Sequence, residues 1–242
     1  MHNNTLLKRL IIVTGGFGSG KTEYSINLAL SLAVQKKENP VLVDFDLVNA
    51  YFRSREAKLF LENQGIKTVV PPHEVIHSDL PVAGPGIRDL ILNKYRRVIV
   101  DAGGNETGAT PLRSYCREIR KAEHSSLMLV NPFRPFTRSV KEIRQMKEGI
   151  ETSSGLQING IVSNPNIGVK TDIKQVIEKH RLVEEAAHYL QIPLIELAVL
   201  AEIYAKNQAE LARINCPVRP IKIYLCPQWL WKQQARGELI WP

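Results

Sequence analysis

Short apolar runs without alternation recur along the chain, and between them apolar positions fall three and four apart. The runs are Leu10-Ile11-Ile12-Val13, Pro40-Val41-Leu42-Val43-Asp44, Arg97-Val98-Ile99-Val100-Asp101, Leu127-Met128-Leu129-Val130, Gly160-Ile161-Val162-Ser163 and Pro193-Leu194-Ile195-Glu196. Runs of this kind predict strands buried on both faces. Thr22 to Val34 is apolar almost all round and predicts a helix covered on several sides. Val140, Ile143, Met146 and Ile150 share one helical face after Thr137, a candidate cap. Ile173, Val176, Ile177, His180, Val183, Ala187 and Leu190 form a longer stripe after Thr171, again a candidate cap, and Ile203 to Ile214 predicts a last helix. Buried strands alternating with amphipathic helices predict an α/β fold of three layers, a mostly parallel sheet with helices on both faces. Residues 66–87, rich in Pro and Gly, read as a long loop.

Ligands of such sheets bind at the carboxyl ends of the strands, and the most specific motif lies there. Gly15-Gly16-Phe17-Gly18-Ser19-Gly20-Lys21-Thr22 follows the first strand and opens the first helix. It fits G-x-x-x-x-G-K-[ST], in which backbone N–H groups cradle phosphates, the lysine reaches the outer ones and the hydroxyl meets Mg²⁺. The nucleotide-binding set is therefore Gly15, Gly16, Phe17, Gly18, Ser19, Gly20, Lys21 and Thr22, running on into Glu23, with ATP and Mg²⁺ as the expected cofactors.

Composition changes this picture little. The 242 residues suit one domain, or one domain with an appendage, and 44% hydrophobic with 23% charged residues is ordinary for a globular chain. A net charge of +8 and a pI near 9.4 permit an anionic partner without demanding one, since a phosphate site itself needs positive potential. Cys116, Cys216 and Cys226 show no C-x-x-C spacing, there is no signal-peptide core and no window of 18 apolar residues; a cytoplasmic protein with reduced thiols is expected.

Three further strand ends carry candidate chemistry. Asp101 in Asp101-Ala102-Gly103-Gly104 can hold the water shell of Mg²⁺, and Gly104 can bring its N–H to a γ-phosphate. Asp44 and Asp46 can orient water or stand behind the metal, or they are solvated turn acids. Asn49, Arg53 and Arg55 follow, where an arginine meets phosphate charge or simply opens a basic helix. Asn164 and Asn166 can pair with a base edge. A guanine site of the N-K-x-D kind needs a carboxylate at position 167, which is Ile, so adenine is favoured.

The phosphate loop, the strand ending in D-x-D and the strand ending in D-x-G-G together resemble the MinD/ParA and CobQ/CobB-type P-loop ATPases, a class that also holds the nitrogenase iron protein. Asp44–Arg55, Asp101–Thr110, Asn131–Thr137 and Asn159–Gly168 further resemble a bacterial CobQ-like, nucleotide-binding subgroup. The resemblance spans roughly residues 8–200. It implies a three-layer P-loop NTPase fold with the two phosphate-facing strands adjacent, Mg-ATP binding, slow hydrolysis and often a nucleotide-linked homodimer. The signature lysine of MinD/ParA proteins has Gly16 in its place, which takes away the usual support for pairing two nucleotides across a dimer.

Two features remain. His73-Glu74-Val75-Ile76-His77 spells H-E-x-x-H, but Pro71, Pro72 and Pro81 deny it the continuous helix a zinc site needs, so a loop is expected. The domain is taken as residues 1–212. The extension 213–242 carries five basic residues against one acid, and Trp229, Trp231 and Trp241. It is expected to pack on the domain or a partner, with lipid or nucleic-acid contact as the lesser readings. The expected function is an ATPase with Lys21, Asp46 and Asp101 as its catalytic residues, coupled to an unidentified protein partner. A small-molecule kinase or ligase with its own acceptor, and a nucleotide-gated positioning or adaptor protein on membrane or DNA, are the alternatives.

Overall fold

The computed structural model describes residues 7–36, 39–46, 58–69 and 85–224. Asn49, Arg53, Arg55, the H-E-x-x-H stretch at 73–77 and the three tryptophans lie outside the described residues.

Within them, β1 (Leu10–Gly15), β2 (Val41–Phe45), β3 (Lys67–Val69), β4 (Val98–Ala102), β5 (His124–Val130), β6 (Gly160–Ser163), β7 (Leu194–Leu200) and β8 (Val218–Ile221) form one sheet. Its order is β3-β2-β4-β1-β5-β6-β7-β8, and every neighbouring pair is parallel. All six apolar runs are strands. The expected adjacency of the phosphate-loop strand and the Asp101 strand is present as the β1–β4 pair, with Val13 beside Asp101.

Alternate residues of the strands feed opposite faces. On one face Ile11, Val13, Ile99, Leu127 and Leu129 pack against Ile26, Leu28, Ala29 and Leu32 of α1 (Lys21–Lys36). On the other, Leu10, Ile12, Val41, Val43 and Val100 meet α3 (Pro85–Leu92) and α5 (Cys116–Lys121), while Met128, Val130 and Ile161 meet α6 (Val140–Ser154) and α7 (Ile173–Leu190). Each fully buried Leu, Ile or Val contributes about 1.5–3 kcal/mol. The central strands are apolar on both faces because both are covered.

Several expectations are corrected. The loop expected at 66–87 contains β3 and the first residues of α3, and α2 (Lys58–Asn63) precedes it. The helix expected over 203–214 is two short ones, α8 (Ala201–Lys206) and α9 (Gln208–Leu211), broken where Asn207 leaves helical geometry at φ −131°, ψ 38°. Ser139, not Thr137, caps α6, accepting from the Glu142 N–H at 3.2 Å. Asp172, not Thr171, caps α7 in a capping box with Gln175.

Of the extension drawn at 213–242, Val218–Ile221 pairs with β7 as the edge strand of the sheet. Beyond it the chain runs along α1. The Asn27 amide exchanges two hydrogen bonds with the Lys222 backbone (2.8 and 2.9 Å), and the Glu23 carboxylate accepts the Tyr224 N–H (3.0 Å). Tyr24, Glu196 and Arg219 are buried together between α1, β7 and β8. This cover explains the nearly all-round apolarity of α1. Among the described residues no helix is long and apolar enough to cross a membrane.

Candidate phosphate-binding site

The strand-to-helix turn at Gly16–Gly20 is closed by local bonds: Ser19 N–H to Gly16 O at 3.2 Å, and Lys21 Nζ to the same carbonyl at 3.0 Å. Gly20 has φ +90°, where a side chain is strained, and a Cβ there would stand 2.5 Å from Asn164 Nδ2. Asn164, at the end of β6, donates that amide to Ser19 O at 2.7 Å and is buried. Its expected pairing with a base edge is therefore corrected: the side chain is a strut under the loop.

Asn166 is also committed. Its Oδ1 accepts from Gly168 N–H at 2.6 Å, and its carbonyl accepts from Asn131 Nδ2 at 2.7 Å. Glu23 turns to Tyr224 and away from the loop. Phe17 is 67% exposed on the loop's outer surface, so the loop contributes its backbone here and not a side-chain wall.

Asp101 leaves β4 directly beside Lys21. A Cβ on Gly104 would come within 3.2 Å of the Phe17 backbone and 3.3 Å of Lys21 Nζ, so only a glycine lets the chain after Asp101 approach the loop so closely. Asp46 lies against Gly103, its Oδ1 3.1 Å from where a Cβ would stand. Asp44 is the cross-strand neighbour of Asp101 and accepts the Asp46 N–H at 3.1 Å. The sequence-predicted residues Lys21, Thr22, Asp44, Asp46, Asp101 and Gly104 are thus brought together at the carboxyl ends of β1, β2 and β4.

The electrostatics of this group follow from burial. Desolvation and the neighbouring Asp44 push the Asp101 carboxyl up to about 7, against a hydrogen bond from Thr22 and the charge of Lys21. The Ser25 hydroxyl, one helical turn past Lys21, donates to Asp101 Oδ1 at 3.3 Å. Burial also lowers the Lys21 ammonium, which Asp101 and Asp46 support. Lys21 and the acids hold each other's charge in a dry site.

Four contributors were not singled out from sequence. Asn105, which opens α4 (Asn105–Ala109), sits in the left-handed region at φ 62° and accepts the Phe17 N–H at 3.0 Å; its signal was its place directly after D-A-G-G. Ser25 could have been found from its i+4 spacing to Lys21. Asn131 and Arg134, in the turn after β5, both reach Gly18 O, and no sequence spacing announces that. A cavity of about 420 Å³ lined by Arg9, Asn39, Tyr95, Arg96 and Arg97 lies at the amino ends of the strands, the wrong end for this site. Among the described residues no three His, Cys, Asp or Glu side chains converge on a metal position.

The chain matches no protein-family model and no curated protein. It is similar in structure to the cell division protein FtsY of Thermotoga maritima, with a TM-score of 0.55 and 19% identity over 78% of this chain and 61% of that one. Chloroplast FtsY of Physcomitrella patens (TM-score 0.53, 17% identity) and the signal recognition particle receptor FtsY of Elizabethkingia anophelis (0.53, 16%) each match over 78% of this chain and 57% of theirs. The chain thus spans about three-fifths of the length of these structures. Fold and loop together define the chain as having the P-loop NTPase fold. That is a coarser level than the MinD/ParA and CobQ-type group.

Proposed function

We propose that the chain binds Mg-ATP at residues 15–22, hydrolyses it slowly and couples that cycle to a protein partner, as a relative of the MinD/ParA and CobQ-type ATPases. The observation that carries the reading is the meeting of Lys21, Thr22, Asp46, Asp101 and Gly104 at three adjacent strand ends around one phosphate loop.

The loop N–H groups and Lys21 hold the phosphates and stabilise the charge spread over the transferring phosphoryl group, which is most of what this chemistry requires. The hydroxyl of Thr22 and the carboxyl of Asp101 are hard oxygen donors, already hydrogen-bonded to each other. They suit Mg²⁺, with Thr22 as a direct ligand and Asp101 acting through water. When bound, the ion neutralises phosphate charge. Asp46, against Gly103 and close enough to support the charge of Lys21, orients the attacking water.

The reading of the base rests on the β6 end. Guanine presents two neighbouring N–H donors to an acceptor pair, normally a carboxylate. Here position 167 is Ile, the Asn164 amide is used under the loop, and Asn166 Oδ1 already accepts from Gly168. Adenine is the base this arrangement favours. The likeness to FtsY is one of fold and does not choose between them.

The test is affinity and phosphate release with ATP and GTP for the wild type and Lys21→Ala. ATP-selective binding with slow release, both lost in the variant, is expected. Tight ATP binding with no phosphate release would move the reading to transfer onto a small-molecule acceptor, and GTP preference would overturn the base assignment.

A further inference from the structure

We propose that Arg134 is a nucleotide-contacting residue, its guanidinium held on the phosphate loop to bind a phosphate oxygen of the nucleotide. The proposal rests on reading residues 15–22 as a nucleotide site.

The turn after β5 is built to fix this side chain. Asn131 Oδ1 accepts the Phe133 N–H at 3.2 Å, and Asn131 O accepts the Arg134 N–H at 2.9 Å. The buried Thr137 hydroxyl donates to Asn131 O at 2.6 Å and lies 3.0 Å from Arg134 O. Asn131 Nδ2 ties the turn to Asn166 O at 2.7 Å. From that base Arg134 reaches across to the loop. Its Nε donates to Gly18 O at 3.3 Å, and Nε and Cζ would stand 3.0 and 3.4 Å from a Cβ on Gly18.

Holding Gly18 O does not require a charge, because the neutral Asn131 amide reaches the same carbonyl at 3.5 Å. An arginine brings five N–H donors, of which this contact uses one. Among the described residues neither Nη has a hydrogen-bond partner, and Arg134 enters no ion pair. Four charged N–H groups are left beside a loop that already carries Lys21 and the positive end of α1. Gathering two cations and a helix amino end on eight residues is repulsive by itself. A polyphosphate offsets that repulsion and satisfies the free donors, by the charge-assisted, two-pronged bonding at which guanidinium excels.

The experiment measures Kd for ATP and ADP, and competition by inorganic tripolyphosphate, for the wild type, Arg134→Ala, Arg134→Lys and Lys21→Ala, each with a thermal melt. Expected is a roughly tenfold weakening of ATP and ADP in Arg134→Ala, the same factor for tripolyphosphate, a substantial recovery in Arg134→Lys and little change in melting. Unchanged affinities with a lowered melting temperature would make Arg134 a structural pin and overturn the proposal. Weakened ATP with unaltered tripolyphosphate would place Arg134 on the base, and would also overturn it. A wild type that binds no ATP, or binds it independently of Lys21, would remove the reading of the loop itself. Lys21-dependent binding insensitive to Arg134 would remove only this inference.

Discussion

Asp101 on β4 stands directly across from Asp44 on β2, two buried carboxylates in register in a parallel sheet and both beside the phosphate loop. Burial makes a charge costly at Asp101, the facing Asp44 adds to that cost, and the Asp101 carboxyl answers by rising from 3.8 to about 7.

Replacing Asp101 by Asn should therefore stabilise the fold while slowing turnover. The native group keeps its proton up to about pH 7, whereas the unfolded one loses it near 3.8. Wild-type stability accordingly declines from about pH 4 to pH 7 on this account and is level above that. Asp101→Asn has no such decline, so its advantage should grow by ~3 kcal/mol between pH 5 and pH 8, read by urea unfolding at the two values. Phosphate release should fall about a hundredfold. An advantage that does not widen with pH would contradict the assigned burial.

Asn164→Ala removes the amide that holds Ser19 O. A buried carbonyl left without its donor costs about 1–3 kcal/mol, and the loop loses its backing under Gly20. A lower unfolding midpoint together with weaker nucleotide binding is expected. Calorimetry on the same variant reads both, and an unaffected affinity would mean the loop holds its shape without the strut.

Glu196 accepts from Tyr24 Oη at 2.6 Å and pairs with Arg219 through both carboxylate oxygens, all three residues being buried. Burial works against charge on Arg219, and Glu196 and Tyr24 beside it together more than compensate, raising the guanidinium above its ordinary value. Glu196→Ala strands that cation and should cost about 3–5 kcal/mol in chemical denaturation. The double variant Glu196→Leu/Arg219→Met should recover most of the loss, because the pair costs desolvation that an apolar pair does not.

Gly104→Ala places a methyl 3.3 Å from Lys21 Nζ and 3.2 Å from the Phe17 backbone. The lysine end can yield and the loop backbone cannot. Stability should change by less than about 1 kcal/mol while turnover drops about tenfold, since small misplacements at reacting phosphates are expensive. Equal losses in melting and rate would indicate a folding defect and not a misplaced site.

How much of this was legible follows from the range of each interaction. The six strands read as apolar runs because the central part of a covered parallel sheet needs apolar residues on both faces. β3 and β8 did not: Lys67–Val69 is three residues long, and the apolar run of Val218–Ile221 is interrupted by Arg219 and by Pro220, which an edge tolerates. The caps at Ser139 and Asp172 were misplaced by one or two residues because a neighbouring threonine offers the same chemistry, and only the helix start decides between them.

By itself the sequence determined the α/β alternation, the phosphate loop and the acids at strand ends, because each depends on residue type at short, fixed spacing. Tertiary structure decided which distant segments share the site. Asn164 under Ser19, Arg134 on Gly18, Asn105 on Phe17 and Asp44 beside Asp101 are contacts between different strand ends, set by the order β2-β4-β1-β5-β6. Periodicity reports how a segment is buried, and strand order reports what it is buried against; only the second is a property of the whole chain.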